Sequence, residues 1–202
     1  WGQPTPMAEP INSIDNEGTM CFDGRGKTMW FTRCPSVDKM NLGCEMWMSS
    51  KKGKSWGEPK KLELKDHDTT HVGHPCITED GKTLVFSSNM AGGFGGVDLW
   101  MSTYDKRSDS WSLPVNLGEG INTAGNDVFP TFGPEGNLFY ATDGLVGLGG
   151  LDIYMATQVG EEDKWENPTN LGAPMNSCRD DYHIIYTEKG KVERGYISSN
   201  RN

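Results

Sequence analysis

The sequence predicts an all-β repeat protein, a stretch of β-propeller, and three observations predict it. First, one tract recurs. SSNMAGGFGGVDLWMS, Ser87 to Ser102, has a close copy in ATDGLVGLGGLDIYMA, Ala141 to Ala156, and an altered one in FTRCPSVDKMNLGCEMWMSS, Phe31 to Ser50. Second, the markers around it keep a fixed period: Gly26, Gly81 and Gly136 are 55 apart, and Trp1, Trp56, Trp111 and Trp165 are spaced by 55, 55 and 54, each with proline three residues on. A period of this size marks a solenoid, propeller or array. Third, only 35% of the 202 residues are hydrophobic and 26 are glycine, which suits short strands and turns better than long helices.

Each period divides into four strands. In the clearest copy they are expected at Asp127 to Phe132, Asn137 to Ala141, Leu151 to Thr157 and Trp165 to Leu171. Leu151, Ile153 and Met155 share one side of LDIYMAT, a period of two. Four sequential antiparallel strands make a propeller blade. The turns at Gly26, Gly81 and Gly136 join extended runs, where a tight hairpin needs positive φ and glycine supplies it without strain. The WxxP tryptophans, Trp1, Trp56, Trp111 and Trp165, are expected on the outer strand, covering the side of the blade; proline is tolerated there because an edge strand need not donate every amide. The blades then run over 11–65, 66–120 and 121–175, with 1–10 as the last strand of a preceding blade and 176–202 as a partial final one. A closed ring takes at least about four blades, so a portion of a larger propeller is expected.

Several function classes are disfavoured. The net charge of −9 argues against a nucleic-acid partner, whose phosphates demand the opposite sign. No run approaches the roughly 18 apolar residues of a membrane span, so no direct membrane insertion is expected. Gly26-Lys27-Thr28 and Gly81-Lys82-Thr83 end like a P-loop, yet Cys21 and Cys76 stand where its first glycine belongs, and a strand follows rather than a helix. The GxSxG of a serine hydrolase is absent, and Ser49 to Trp56 resembles a sialidase Asp-box with Lys51 in place of the aspartate. No cofactor is implied.

Two clusters could carry chemistry. His67, His71 and His74 place three of the four histidines within eight residues, and imidazole is a zinc ligand. Their spacing fits no standard zinc pattern, and the repeat aligns His71 with Asn126 and His74 with Phe129, so ordinary blade positions are expected. Glu45, Asp98 and Asp152 share one repeat position after a loop, where each is expected to accept from loop amides. One carboxylate per blade is too few for calcium. Among five cysteines, Cys34 and Cys44 flank the altered loop and are either a short disulfide, implying an oxidising compartment, or two thiols. Cys21 and Cys76 are expected as buried thiols.

DGKTLVFSSN, GGFGGVDLWMS, WSLPVNLGEGINT, GGLDIYMA and WENPTNLGAPMNS together resemble the WD40-like PD40 repeats of TolB-type propellers, in the style of OmpA-family outer-membrane lipoproteins of type IX secretion. The resemblance implies a five-bladed ring, or a six-bladed one. It also implies a periplasmic, outer-membrane-associated and non-catalytic scaffold that binds other proteins of a secretion complex, with peptidoglycan contact only through a domain elsewhere. On that reading the chain is not an enzyme and has no catalytic residues. The alternative from another class is a glycan-binding or glycan-cleaving propeller.

Overall fold

The computed structural model describes residues 2–35, 42–160, 164–188 and 194–201. Three successive antiparallel sheets and a final hairpin form a portion of a β-propeller. The first sheet holds β1 (Asn16–Phe22), β2 (Thr28–Cys34) and β3 (Glu45–Lys52), with β4 (Ser55–Trp56) and β5 (Lys60–Lys61) both paired to β3. The second repeats this with β6 (Val72–Ile77), β7 (Thr83–Ser88), β8 (Asp98–Asp105), β9 (Ser110–Trp111) and β10 (Val115–Asn116). The third has β11 (Asp127–Phe132), β12 (Leu138–Thr142), β13 (Asp152–Gln158) and an unbroken β14 (Trp165–Asn170). β15 (Asp181–Glu188) and β16 (Arg194–Ser199) form the hairpin.

The outer strand departs from the expected single run. In the first two sheets it splits around Pro59 and Pro114, whose missing N–H interrupts the ladder, whereas Pro168 sits inside β14 beside a register shift between Met155 and Thr157. Residues 2–10 form no strand. An outer strand exists only by pairing with its neighbour, and the sheet it would join contributes no other strand to this sequence; Trp1 lies outside the described residues. The hairpin turns take the expected backbone, with φ of 59° at Gly26, 73° at Gly81 and 77° at Gly136.

The inner strands β1, β6, β11 and β15 lie side by side. Each carries a register shift near its start, and in β6 and β11 the bulge puts a non-glycine residue at positive φ, 49° at His74 and 54° at Phe129. Apolar side chains fill the junctions between sheets. Trp30, Leu84, Phe86 and Trp100 belong to the cluster between the first and second, and Val85, Leu138, Tyr140 and Trp165 to that between the second and third.

A polar clasp locks each joint. The Asn122 side chain accepts from Leu99 N at 2.7 Å and donates to Leu99 O at 2.9 Å, closing a backbone-like pair with β8. Asn176 does the same to Ile153 of β13, at 2.8 Å in both directions. The Gly-rich loops press on the following sheet: a methyl group on Gly95 would lie 2.1 Å from Gly125 O, and one on Gly149 1.9 Å from Arg179 O, so only glycine fits. No helix among the described residues is long and apolar enough to cross a membrane.

Candidate functional site

The clusters singled out from the sequence resolve differently. Asp98, 2% exposed, accepts from the amides of Phe94 at 2.7 Å and Gly95 at 3.2 Å. Asp152, 1% exposed, likewise accepts from Leu148 and Gly149. Glu45 corrects the pattern: it accepts from the Trp47 indole at 3.2 Å and pairs with Lys61 at 2.8 Å. The glycines whose amides Asp98 and Asp152 cap are replaced at this place by the Cys34 to Cys44 loop, so its carboxylate turns to the sheet instead. Cys34 and Cys44 are joined as a disulfide, with 36–41 between them outside the described residues. Cys76 is buried, which pushes its thiol up to about 12.

The three histidines do not converge. His67 contacts Thr69 and His71 accepts from Cys44 N, both exposed, while the bulge turns His74 onto Phe129 of the next sheet, with ring centroids 3.8 Å apart and planes 20° from parallel. Among the described residues no group of three His, Cys, Asp or Glu side chains could hold a metal ion. Burial, with the charge of His183 adding to it, lowers the His74 pKa to about 4.

Three of the four inner strands, β1, β11 and β15, carry a carboxylate at one repeat position, where β6 has Val72, and each carboxylate is already engaged. Glu17 pairs with Arg33 at 2.9 Å, Asp127 accepts from Thr123 N at 2.7 Å, and Asp181 accepts from Ser177 N at 2.6 Å and pairs with Arg201. Burial raises the Asp127 pKa. These groups fasten the joints.

A groove of about 410 Å³ opens between the first and second sheets, a volume in the range of small-molecule sites. Its aromatic wall is Trp30, Tyr104 and Trp111; Trp30 meets Trp111 edge-on at 6.2 Å, and Tyr104 leans on Trp111 at 5.4 Å. Its polar lining includes Asp23, Asp80, Asp109, Lys60, Lys61, Lys82 and Lys106. Trp111 was legible as a repeat marker, but its place in the groove was not. The available signal was a break in the repeat, since Trp30 stands where the other copies have Val85 and Tyr140.

No family model matches the chain, and no curated protein matches it. Solved structures do share its fold. A luciferin-regenerating enzyme matches at 13% identity and a TM-score of 0.51, covering 86% of this chain and 50% of that one. A thermostable family-43 glycoside hydrolase matches at 14% and 0.52, covering 77% and 59%. An α-L-arabinofuranosidase from Lactobacillus brevis matches at 13% and 0.53, covering 86% and 62%. The chain thus spans between half and about three-fifths of these structures, and likeness at such identity carries the fold alone.

Of the resemblance to PD40 repeats, the propeller stands. The expectation of a non-catalytic scaffold, and with it that the chain is not an enzyme, is corrected: solved structures that share its fold are enzymes, two of them glycosidases by name, so the propeller gives no ground for reading the chain as non-catalytic. The expectation rested on finding no local catalytic motif. Function belongs to residues grafted onto a fold, which need not be neighbours in sequence, so a missing local motif is no evidence against catalysis.

Proposed function

We propose that the chain is a portion of a glycan-acting propeller enzyme and that the groove between its first two sheets holds the glycan. The observation that carries this reading is the lining, in which the partly exposed rings of Trp111 and Tyr104, backed by the buried Trp30, stand beside carboxylates and ammonium groups. Sugar rings present apolar C–H faces edged with hydroxyls, and a surface with aromatic planes flanked by charged hydrogen-bonding groups is complementary to both. The glycosidases that share the fold support the same direction. The test is hydrolysis of a chromogenic glycoside panel by the intact ring, together with tryptophan fluorescence during titration with neutral and acidic oligosaccharides. Turnover of one glycoside class, and a fluorescence change lost in Trp111→Ala, are expected. No turnover and no fluorescence change with any saccharide would overturn the reading.

The repeats are, on this proposal, of the PD40 kind, and the compartment is an oxidising one such as the periplasm. The Cys34–Cys44 bridge supports that location, since such bridges persist where thiols are not kept reduced. Thiol counting on protein taken directly from periplasmic and cytoplasmic fractions checks it.

A further inference from the structure

We infer that the Gly-rich loops of the second and third sheets seat the protein on the surface of a zwitterionic lipid bilayer, without spanning it. Phe94 and Leu148 hold one repeat position, four residues before Asp98 and Asp152, and stand 49% and 52% exposed; beside them Val146 is 96% exposed, and Leu145 is exposed too. Single apolar side chains on a surface are ordinary, but four on two linked loops form a patch. The loops leave the same end of neighbouring sheets and are tied through the joint between them: Gly96 N donates to Gly125 O at 2.8 Å, and Asp143 accepts from Asn126 N at 2.6 Å. Both sheets are flanked on each side by another, so the patch is not a face left for a further blade.

The backbone holds these side chains outward. A methyl group on Gly93 would lie 1.7 Å from the Asp98 carboxylate and one on Gly147 1.9 Å from that of Asp152, and the Tyr154 hydroxyl donates to Val146 O. The loops offer a protein partner few polar contacts, because the amides of Phe94, Gly95, Leu148 and Gly149 are already given to Asp98 and Asp152. A protein interface needs about one hydrogen bond per 100–200 Å² and about 800 Å² a side. A bilayer asks for no such complementarity, and apolar side chains gain by leaving water for it. Charge decides which bilayer. No charged residue lies between Ser88 and Asp98, only Asp143 lies between Thr142 and Asp152, and the rim sets Asp66 and Asp180 against Arg179, so nothing there draws an anionic headgroup. The groove lies at the opposite end of β7, beside Gly81 and Lys82, and stays open to solvent on a seated molecule.

Cosedimentation with phosphatidylcholine vesicles tests this. The protein should pellet with them equally at low and high salt, with no gain when phosphatidylglycerol is mixed in. The double variant Phe94→Ser, Leu148→Ser should lower the partition coefficient roughly 10-fold or more and keep the thermal unfolding midpoint, while Val146→Trp should raise it. Leu113→Ser with Val115→Ser, an exposed apolar pair on the outer edge of the second sheet, should leave it unchanged. No pelleting of the unaltered protein, pelleting that only anionic vesicles support, pelleting that the loop variant does not weaken, or an equal loss in the outer-edge variant would overturn the inference. So would a dimer in sedimentation velocity that the loop variant abolishes while vesicles stay unbound, which would give the patch to a second copy. The glycan reading stands or falls separately, on saccharide binding at the other end of the sheets.

Discussion

The two junctions between complete blades are built from the same repeat and finish differently. At the first, Trp30 meets Trp111 edge-on, and the Trp111 N–H has no partner among the described residues. At the second, Val85 takes the place of Trp30, and Trp165 sinks to 4% exposure, leans at a tilt on Phe132 at 5.5 Å and donates to Gly136 O at 2.8 Å. The larger ring props its partner outward; the smaller side chain lets it drop in. One substitution in the second strand thus decides whether a junction is sealed core or open groove.

The sharpest way to break this comparison is to remove both outer tryptophans in turn. Trp165→Ala should cost about 3–5 kcal/mol in urea unfolding, as for a fully buried aromatic. Trp111→Ala should cost about 1–2 kcal/mol, being half-buried, and should abolish saccharide binding. Next in size is a pH effect centred on the second junction, where His74 stacks on Phe129. Its folded pKa of about 4 lies below the ordinary 6.5, so the unfolded chain binds the extra proton between those values. Stability should be full above pH 6.5, fall by up to about 3 kcal/mol as pH drops toward 4, and flatten below. His183, also lowered by burial, adds in the same direction. His74→Phe keeps the stack and should remove most of the slope in unfolding measured across that range.

Exchanging the deciding residue sharpens the contrast further. Val85→Trp should overpack the sealed junction and cost about 1–3 kcal/mol, read as a shift in denaturation midpoint. Trp30→Val should close the groove and remove binding while the protein still folds. The smallest expected effect is a difference of nothing: Asn122→Ala and Asn176→Ala each strip a buried clasp of the same geometry, so each should cost about 2 kcal/mol and agree within about 0.5 kcal/mol. Unequal costs would mean that the joints are less alike than their bonds.

The sequence carried what is local. Asp127 to Phe132 forms β11 with the expected ends, and Asp98 and Asp152 bond amides three or four residues away, a distance a motif can express. Asn122 and Asn176 were visible as joint markers, but each clasps a residue 23 positions upstream, beyond any turn motif. The groove was less visible still. Its walls, Trp30 and Trp111, come from different repeats, and their meeting depends on how two sheets pack. The ordinary function of Glu45 was misjudged because repeat position was trusted over the altered loop beside it.

The asparagine clasps carry a lesson for anyone cutting or grafting this protein. Asn122 falls within the residues assigned to the third blade, yet its side chain completes the second, and Asn176 stands in the same relation to the third. The transplantable module is therefore not a period of sequence. A fragment ending at 120 leaves behind the fastening of its own last strand, whereas one carried through residue 127 takes with it Asn122 and the bond between Thr123 and Asp127. Swaps of blades between propellers of this kind should be spliced inside an inner strand rather than at the turn between repeats.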